Sequence, residues 1–377
     1  HPTYSPVDQL TITPTMQTIP MPSTLQSDMS VTTPPTVSPV IAPTRESPLK
    51  NRLILLSRTG GREFGDPNSY ESKAWEWVQP QESSLPQDKL VQRYALACLY
   101  YSTHQVSNAY MEEIMPGFQT PTWANASGWL DAGVDECNWY GLSCNMEDKV
   151  DYIDLERNSL TGSLPFELSY LGVSLRVLFL DSNWFFNNGT EGHAFLEGLT
   201  GLTNFSAHDS FLQHRGIPTQ FAALTSLQSL DVSYVSYHGA IEGSTWAPYS
   251  MPSLRYMDIS GNAFHSPLPP ALILQPSLNA FFAGNSDLTG NVHDILPHFA
   301  GVVEVWMDQN PLLTGTLPAN IGALTAMLSL SLTECSIQGS IPESIGNLVH
   351  MKQMWLYENQ LTGTLPASLG NLSILRT

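Results

Sequence analysis

Positive charge is what this chain has least of. Fifteen Lys and Arg stand against 34 Asp and Glu in 377 residues, leaving a net charge of −19. That balance argues against nucleic acid, whose binding rests on Lys and Arg neutralising phosphates. It argues equally against an anionic membrane surface. Long apolar runs are missing too. The nearest, Leu53 to Leu56, falls far short of the roughly 18 residues that span a bilayer. Catalytic signatures are absent: there is no H-E-x-x-H, no G-x-S-x-G and no phosphate-cradling Gly loop. His208-Asp209-Ser210 holds the three hydrolase residue types, but neighbours on a strand point to opposite faces and cannot converge. His265, His293 and His298 lack ligand spacing. No cofactor and no metal are expected, and the segment is read as non-catalytic.

What the chain does have is a period. In Met351 to Leu372, apolar residues fall at Met351, Met354 and Leu356, Asn359 follows, then Leu361-Thr-Gly-x-Leu365-Pro366. Stepping back about 25 residues at a time finds the frame again, at Met327-Leu330-Leu332-Cys335, at Leu254-Met257-Ile259-Asn262 and at Val150-Ile153-Leu155-Asn158. L-x-x-L-x-L-x-x-N/C-x-L at this period is the signature of a leucine-rich repeat solenoid. Nine repeats are expected, starting at Val150, Leu175, Leu202, Leu227, Leu254, Leu278, near Val302, Met327 and Met351. The third and fourth carry Ser210 and Val235 in place of Asn, and the sixth and seventh are ambiguous by one residue. Gly162, Gly290, Gly315, Gly339 and Gly363 are expected to allow positive φ where the chain turns to the convex side. The Pro that follows is expected to favour an extended, non-sheet return path.

Ahead of the repeats the composition changes. Residues 1–48 hold 10 Pro and 16 Ser or Thr, too few apolar groups to offset ordering entropy, and read as a disordered tether. Residues 49–86 read as a linker with one short helix, capped at Ser72, with Trp75 and Trp77 as docking side chains. Residues 87–149 read as a cap for the exposed first layer of the solenoid. Its helix is expected to start at Asp88 and to show Val91, Tyr94, Ala95, Cys98 and Tyr101 on one face. The solenoid proper is assigned to 150–377. The chain opens on His1 and stops just inside a new repeat, so it is expected to be a piece of a longer protein.

The block Trp129…Cys137-Asn-Trp-Tyr-Gly-Leu-Ser-Cys144, followed by L-x-x-L-x-L-x-x-N-x-L-T-G-x-L-P, resembles the N-terminal cap and plant-type repeats of receptor-like kinases, receptor-like proteins and secreted polygalacturonase inhibitors. Arg93 to Tyr101 is similar to the cap helix of algal leucine-rich repeat proteins. The resemblance covers roughly residues 70–377. It implies an α/β solenoid, a leucine-rich repeat horseshoe or superhelix with a parallel concave sheet and short 3₁₀ or irregular convex segments. An α-helical N-terminal cap and a disordered N-terminal tail complete that architecture. It also implies a Cys137–Cys144 disulfide and hence an oxidising compartment; Cys98 and Cys335 remain as buried free thiols. The sequons at Asn125, Asn188 and Asn371 are expected glycosylation sites in the same compartment, while Asn204 points into the concave face. Location is therefore expected to be extracellular or at the cell surface, with any membrane anchor or kinase domain outside these residues.

Alternating strand residues between the apolar frame positions stand on the concave face, and because adjacent strands lie about 4.8 Å apart, equivalent positions form columns. One column reads Asp154, Phe179, Ser206, Asp231, Asp258, Phe282, Trp306, Ser331, Trp355. A second contains Asp308, Thr333 and Tyr357, and a third Arg157, Ser182, Asp209, Tyr234, Gly261, Asn285, Gln309, Glu334 and Glu358. Aromatic patches that the fold does not need to bury mark binding surfaces, though such rings also stack as cross-strand pairs. The expected ligand-binding residues are Tyr234, Asp231, Tyr256, Asp258, Phe282, Trp306, Asp308, Trp355 and Tyr357. A ligand covering Asp231 and Asp258 must bring a cation, so the expected partner is a peptide or protein with basic groups. The function read from this is extracellular recognition by a receptor-like protein, the alternative being a secreted inhibitor or adhesion module.

Overall fold

The protein is described by a computed structural model over residues 47–104, 122–186, 193–243 and 246–376. Among these, one ten-stranded sheet runs in chain order from Leu142–Cys144 through Val150–Asp154 to Gln353–Trp355, and only its first pair is antiparallel. Each repeat contributes one three- to five-residue strand. The central frame residue of each strand points inward: Ile153, Leu178, Leu230, Met257, Phe281, Val305 and Leu330 have no exposed surface. Fully burying such a side chain contributes about 1.5–3 kcal/mol, repeated at every turn of the coil. This is the solenoid the period implies.

The first concave column is the register of the sheet. Asp231 pairs with Asp258, Asp258 with Phe282, Phe282 with Trp306, Trp306 with Ser331 and Ser331 with Trp355. The third column is different from what alternation suggests. All nine of its residues, from Arg157 (φ 50) to Glu358 (φ 54), are left-handed and lie just past the strands. For residues with a side chain that conformation is unfavourable. Here it aims the backbone N–H across the coil, as from Tyr234 to the Ser260 carbonyl at 2.8 Å and from Gln309 to the Thr333 carbonyl at 2.8 Å. The turn is imposed by the next repeat rather than by side-chain preference.

Asn side chains knit the turns. Asn310 Nδ2 donates to the Ala283 and Met307 carbonyls at 2.9 Å, and its Oδ1 accepts from Ser286 N and Leu288 N. Ser286, Ser210 and Cys335 take the same place in their repeats, each donating to the corresponding carbonyl. Ser286, not Asn285, is therefore the ladder residue of the sixth repeat, which removes its extra residue. The seventh keeps one: Leu313 is fully buried, whereas Leu312 is 54 % exposed.

A second ladder was not legible in the repeat. Gly290–Asn291, Leu313–Thr316, Ser336–Gly339 and Gln360–Leu361 form a four-stranded parallel sheet beside the main one. Gly290, Gly315, Gly339 and Gly363 sit in or next to it at φ between 79 and 108. The return path after Pro is short 3₁₀ turns such as Glu343–Asn347.

Residues 49–86, expected as a linker with one short helix, fold more fully than that. Helix α1 (Pro48–Leu56) is capped by Ser47, which accepts from Lys50 N at 3.0 Å. Helix α2 (Tyr70–Val78) is capped by Ser69 rather than Ser72, and the Ser72 hydroxyl donates to the Glu63 carbonyl. Helix α3 (Gln87–Thr103) starts one residue before Asp88 with Pro86 at its N-cap; Asp88 pairs with Arg52 at 2.6 Å instead. The helix is buried on two sides, not one. Val91, Tyr94 and Cys98 pack against Leu49, Leu53, Ala74 and Val78, while Ala95, Leu96 and Leu99 join the repeat core. Each short helix buries few residues, so none announces itself alone. Apart from Ser47 and Pro48, the expected tether lies outside the described residues.

Candidate functional site

Beneath the cap, polar groups are consumed internally. Arg93 Nε donates to Glu136 Oε2 at 2.8 Å, and its Nη atoms reach Gln81 Oε1 and the Val134 carbonyl. Cys137 and Cys144 are disulfide-bonded as the resemblance implied. Cys98 and Cys335 are buried free thiols, with burial pushing the Cys335 thiol up to about 11. A cleft of about 610 Å³ between cap and first repeat is larger than any on the concave face described below. In it Asp88 pairs with Arg52 at 2.6 Å and with Lys149 at 3.9 Å.

The late concave face is arranged otherwise. A groove of about 310 Å³ is lined by Trp306, Asp308, Ser331, Thr333, Trp355 and Tyr357, with Gln309 and Glu334 at its edge. Register puts small Ser331 on the strand between the two tryptophans, so their rings lean together across it. The indoles meet at 89° with centroids 5.8 Å apart. Trp306 also meets Phe282 at 5.1 Å, and Phe282 meets Tyr256 at 5.4 Å. The rings do stack edgewise, as cross-strand pairs can, yet Trp306 stays 38 % and Tyr357 59 % exposed. Trp306 Nε1 donates to Ser329 Oγ at 2.9 Å. Asp308 Oδ1 accepts from the Ser331 hydroxyl and from Thr333 N at 2.9 Å. That fixes the carboxylate in place beside the rings.

The other expected binding residues form a separate acidic group. Asp231 Oδ1 accepts from Ser233 N at 3.0 Å and from its hydroxyl at 2.5 Å, and Asp258 Oδ1 from Ser260 N at 2.9 Å. Tyr256 donates its hydroxyl to Asp258 Oδ2 at 3.3 Å. Burial above all raises the Asp231 carboxyl above its ordinary value; the charge on Asp258 adds to this and the Ser233 hydrogen bonds oppose it. Asp231 is half-buried. Tyr234 stands apart, 50 % exposed on its left-handed turn, its ring 5.7 Å from that of His208. The structure brings Trp306, Asp308, Trp355 and Tyr357 into one groove, with Asp231, Tyr256 and Asp258 as a second group and Phe282 between them.

Sequence reasoning passed over Ser331, Thr333, Gln309 and Glu334 as site residues. Ser331 was visible in the column as the one small residue between two tryptophans. His208 and Ser210 do not converge: His208 Nδ1 bonds Ser233 Oγ, and the Ser210 hydroxyl donates to the Leu180 carbonyl. Of the sequons, Asn371 is exposed, and Asn125 Oδ1 accepts from Ser127 N and its hydroxyl. Asn188 lies outside the described residues. No helix among the described residues is long and apolar enough to cross a membrane.

The Leucine Rich Repeat family model matches residues 327–348. Serine/threonine-protein kinase BRI1-like 1 of Arabidopsis thaliana is 26 % identical over 169 residues, 44 % of this chain and 14 % of that protein. Receptor-like protein kinase BRI1-like 3 of the same plant is 27 % identical over 42 % of this chain and 14 % of its own length. The chain thus spans a small fraction of these relatives. Among solved structures, the leucine-rich repeat ectodomain of the Arabidopsis thaliana receptor kinase GASSHO1/SCHENGEN3, in complex with CASPARIAN STRIP INTEGRITY FACTOR 2, superposes with a TM-score of 0.60. Identity is 24 %, with 67 % of this chain and 30 % of that one covered. The plant peptide hormone receptor RGFR1 in complex with RGF2 gives 0.54 at 24 % identity, covering 64 % and 36 %.

Proposed function

From the premise that this is a plant-type leucine-rich repeat protein, we propose that its concave face recognises a peptide or protein ligand outside the cytosol. The reading takes the chain as the recognition part of a receptor-like protein. One observation carries it: Trp306, Trp355 and Tyr357 remain accessible beside Asp308, although the solenoid core is complete without them. The acidic group at Asp231 and Asp258 extends the same face, so a ligand lying along it is favoured if it presents cations. Two structural neighbours, solved with CASPARIAN STRIP INTEGRITY FACTOR 2 and with RGF2, supply the analogy. The disulfide-bonded cap fits an oxidising compartment.

The test is a displayed library of random dodecapeptides panned against the purified chain. Selected peptides are then measured against Trp355→Ala and Asp231→Ala. Loss of affinity of about tenfold or more in one or both is expected, the size of a hot-spot truncation. Peptides that bind both variants as tightly as the parent remove the concave face as the binding surface.

A further inference from the structure

Resting on that reading, we infer that the corner between Trp306 and Trp355 is a seat for one arginine side chain of the ligand. Three observations converge there. Two indoles stand at right angles 5.8 Å apart over the buried Ser331, forming a corner rather than a flat patch. No protein group among the described residues bonds the Trp355 indole N–H or the Tyr357 hydroxyl, so the corner has unspent polar edges. Two carboxylates flank it from neighbouring repeats. Asp308 uses Oδ1 for Ser331 and Thr333 and leaves Oδ2 for a ligand. Glu334, exposed on its left-handed turn, holds only the amide of Gln309, at 3.2 and 3.4 Å.

A planar, weakly hydrated cation suits this shape. A guanidinium lies flat on an indole face, where the ring quadrupole attracts it, and still donates sideways to carboxylates through its fork of N–H groups. An ammonium is a strongly hydrated point charge that gains the attraction but not the stacking or the fork. A carboxylate or phosphate is repelled by Asp308 and Glu334. An apolar side chain would bury against the rings but leave both acids facing it. The ligand is thereby assigned an arginine at the position that reaches the seventh to ninth repeats.

Calorimetric titration with three synthetic tetrapeptides tests this: tetra-arginine, tetra-lysine and tetra-citrulline, the last matching arginine in shape without its charge. Saturable binding of tetra-arginine is expected. Tetra-lysine should bind about tenfold more weakly, and tetra-citrulline should not bind. Trp355→Ala should abolish the tetra-arginine signal. Glu334→Gln, on an exposed turn where folding is undisturbed, should weaken it several-fold. Equal binding of arginine and lysine peptides, insensitivity to both substitutions, or no saturable binding of tetra-arginine overturns the assignment. The displayed library separates the two levels: binders that need Trp355 but carry no arginine end the arginine seat and leave the recognition face standing. Binders indifferent to Trp355 and Asp231 end both.

Discussion

The cap and the late concave face use the same residue types to opposite ends. In the cap, Trp77, Trp123, Trp129 and Trp139 interlock with centroids 4.7 to 5.8 Å apart, and their N–H groups donate to main-chain carbonyls. Its buried Glu136 is matched by Arg93. On the concave face the rings touch edge to face in one row, their outer surfaces stay open, and Asp308 is held by hydrogen bonds rather than by a cation. Enclosure on all sides makes an aromatic cluster structural. A single layer on a sheet that has no second layer above it leaves a surface for something else. The difference lies in what covers the rings.

Breaking the cap should have the largest effect. Arg93→Ala strands Glu136, which has no exposed surface, and is expected to cost about 3–5 kcal/mol, the penalty for an unpaired buried charge. Chemical denaturation followed by far-ultraviolet circular dichroism measures it; a loss below 1 kcal/mol would show that Lys89, 3.7 Å away, compensates.

Next comes a carboxyl that the cap buries without a cation. Glu167, under α2 and α3, accepts from the Tyr70 hydroxyl at 3.2 Å and is pushed up to about 8, by burial first and by the charge on Glu71 next. A raised folded value favours the protonated form in the native state. The stability it lends is present at low pH and drains away as pH rises from the ordinary carboxylate range through about 8. Denaturation midpoints should therefore fall between pH 5 and 8.5, and Glu167→Gln should flatten that slope. A slope unchanged in the variant assigns the effect elsewhere.

On the concave face the same kind of substitution should be mild for folding. Gly261 shares the left-handed column, but a Cβ there would meet the Tyr234 ring at 2.3 Å. Gly261→Ala is expected to swing Tyr234 aside at a cost of about 1 kcal/mol, visible as an altered Tyr234 ring environment by nuclear magnetic resonance with the fold kept. Smallest of all, Trp355→Ala should change stability by less than about 1 kcal/mol while removing peptide binding. A large loss of stability instead would make the concave rings structural, like those of the cap, and erase the contrast.

The sequence by itself determined the coil. A repeating ridge of apolar residues can be buried only by stacking, so strand register, inward positions and the first concave column were all readable from Val150 to Trp355. Tertiary structure decided what depends on the neighbouring turn. The nine left-handed residues range from Gly to Arg, and in all but the last, Glu358, the backbone N–H is held by a carbonyl of the next repeat. The helices of residues 48–86 bury faces too short to show a period, and they become legible only against α3 and the cap they cover. The corner of Trp306 and Trp355 exists because a serine one repeat away from each ring lets them meet across it. Periodic burial is a one-dimensional signal, whereas a turn, a short helix or a groove is completed by atoms from another part of the chain.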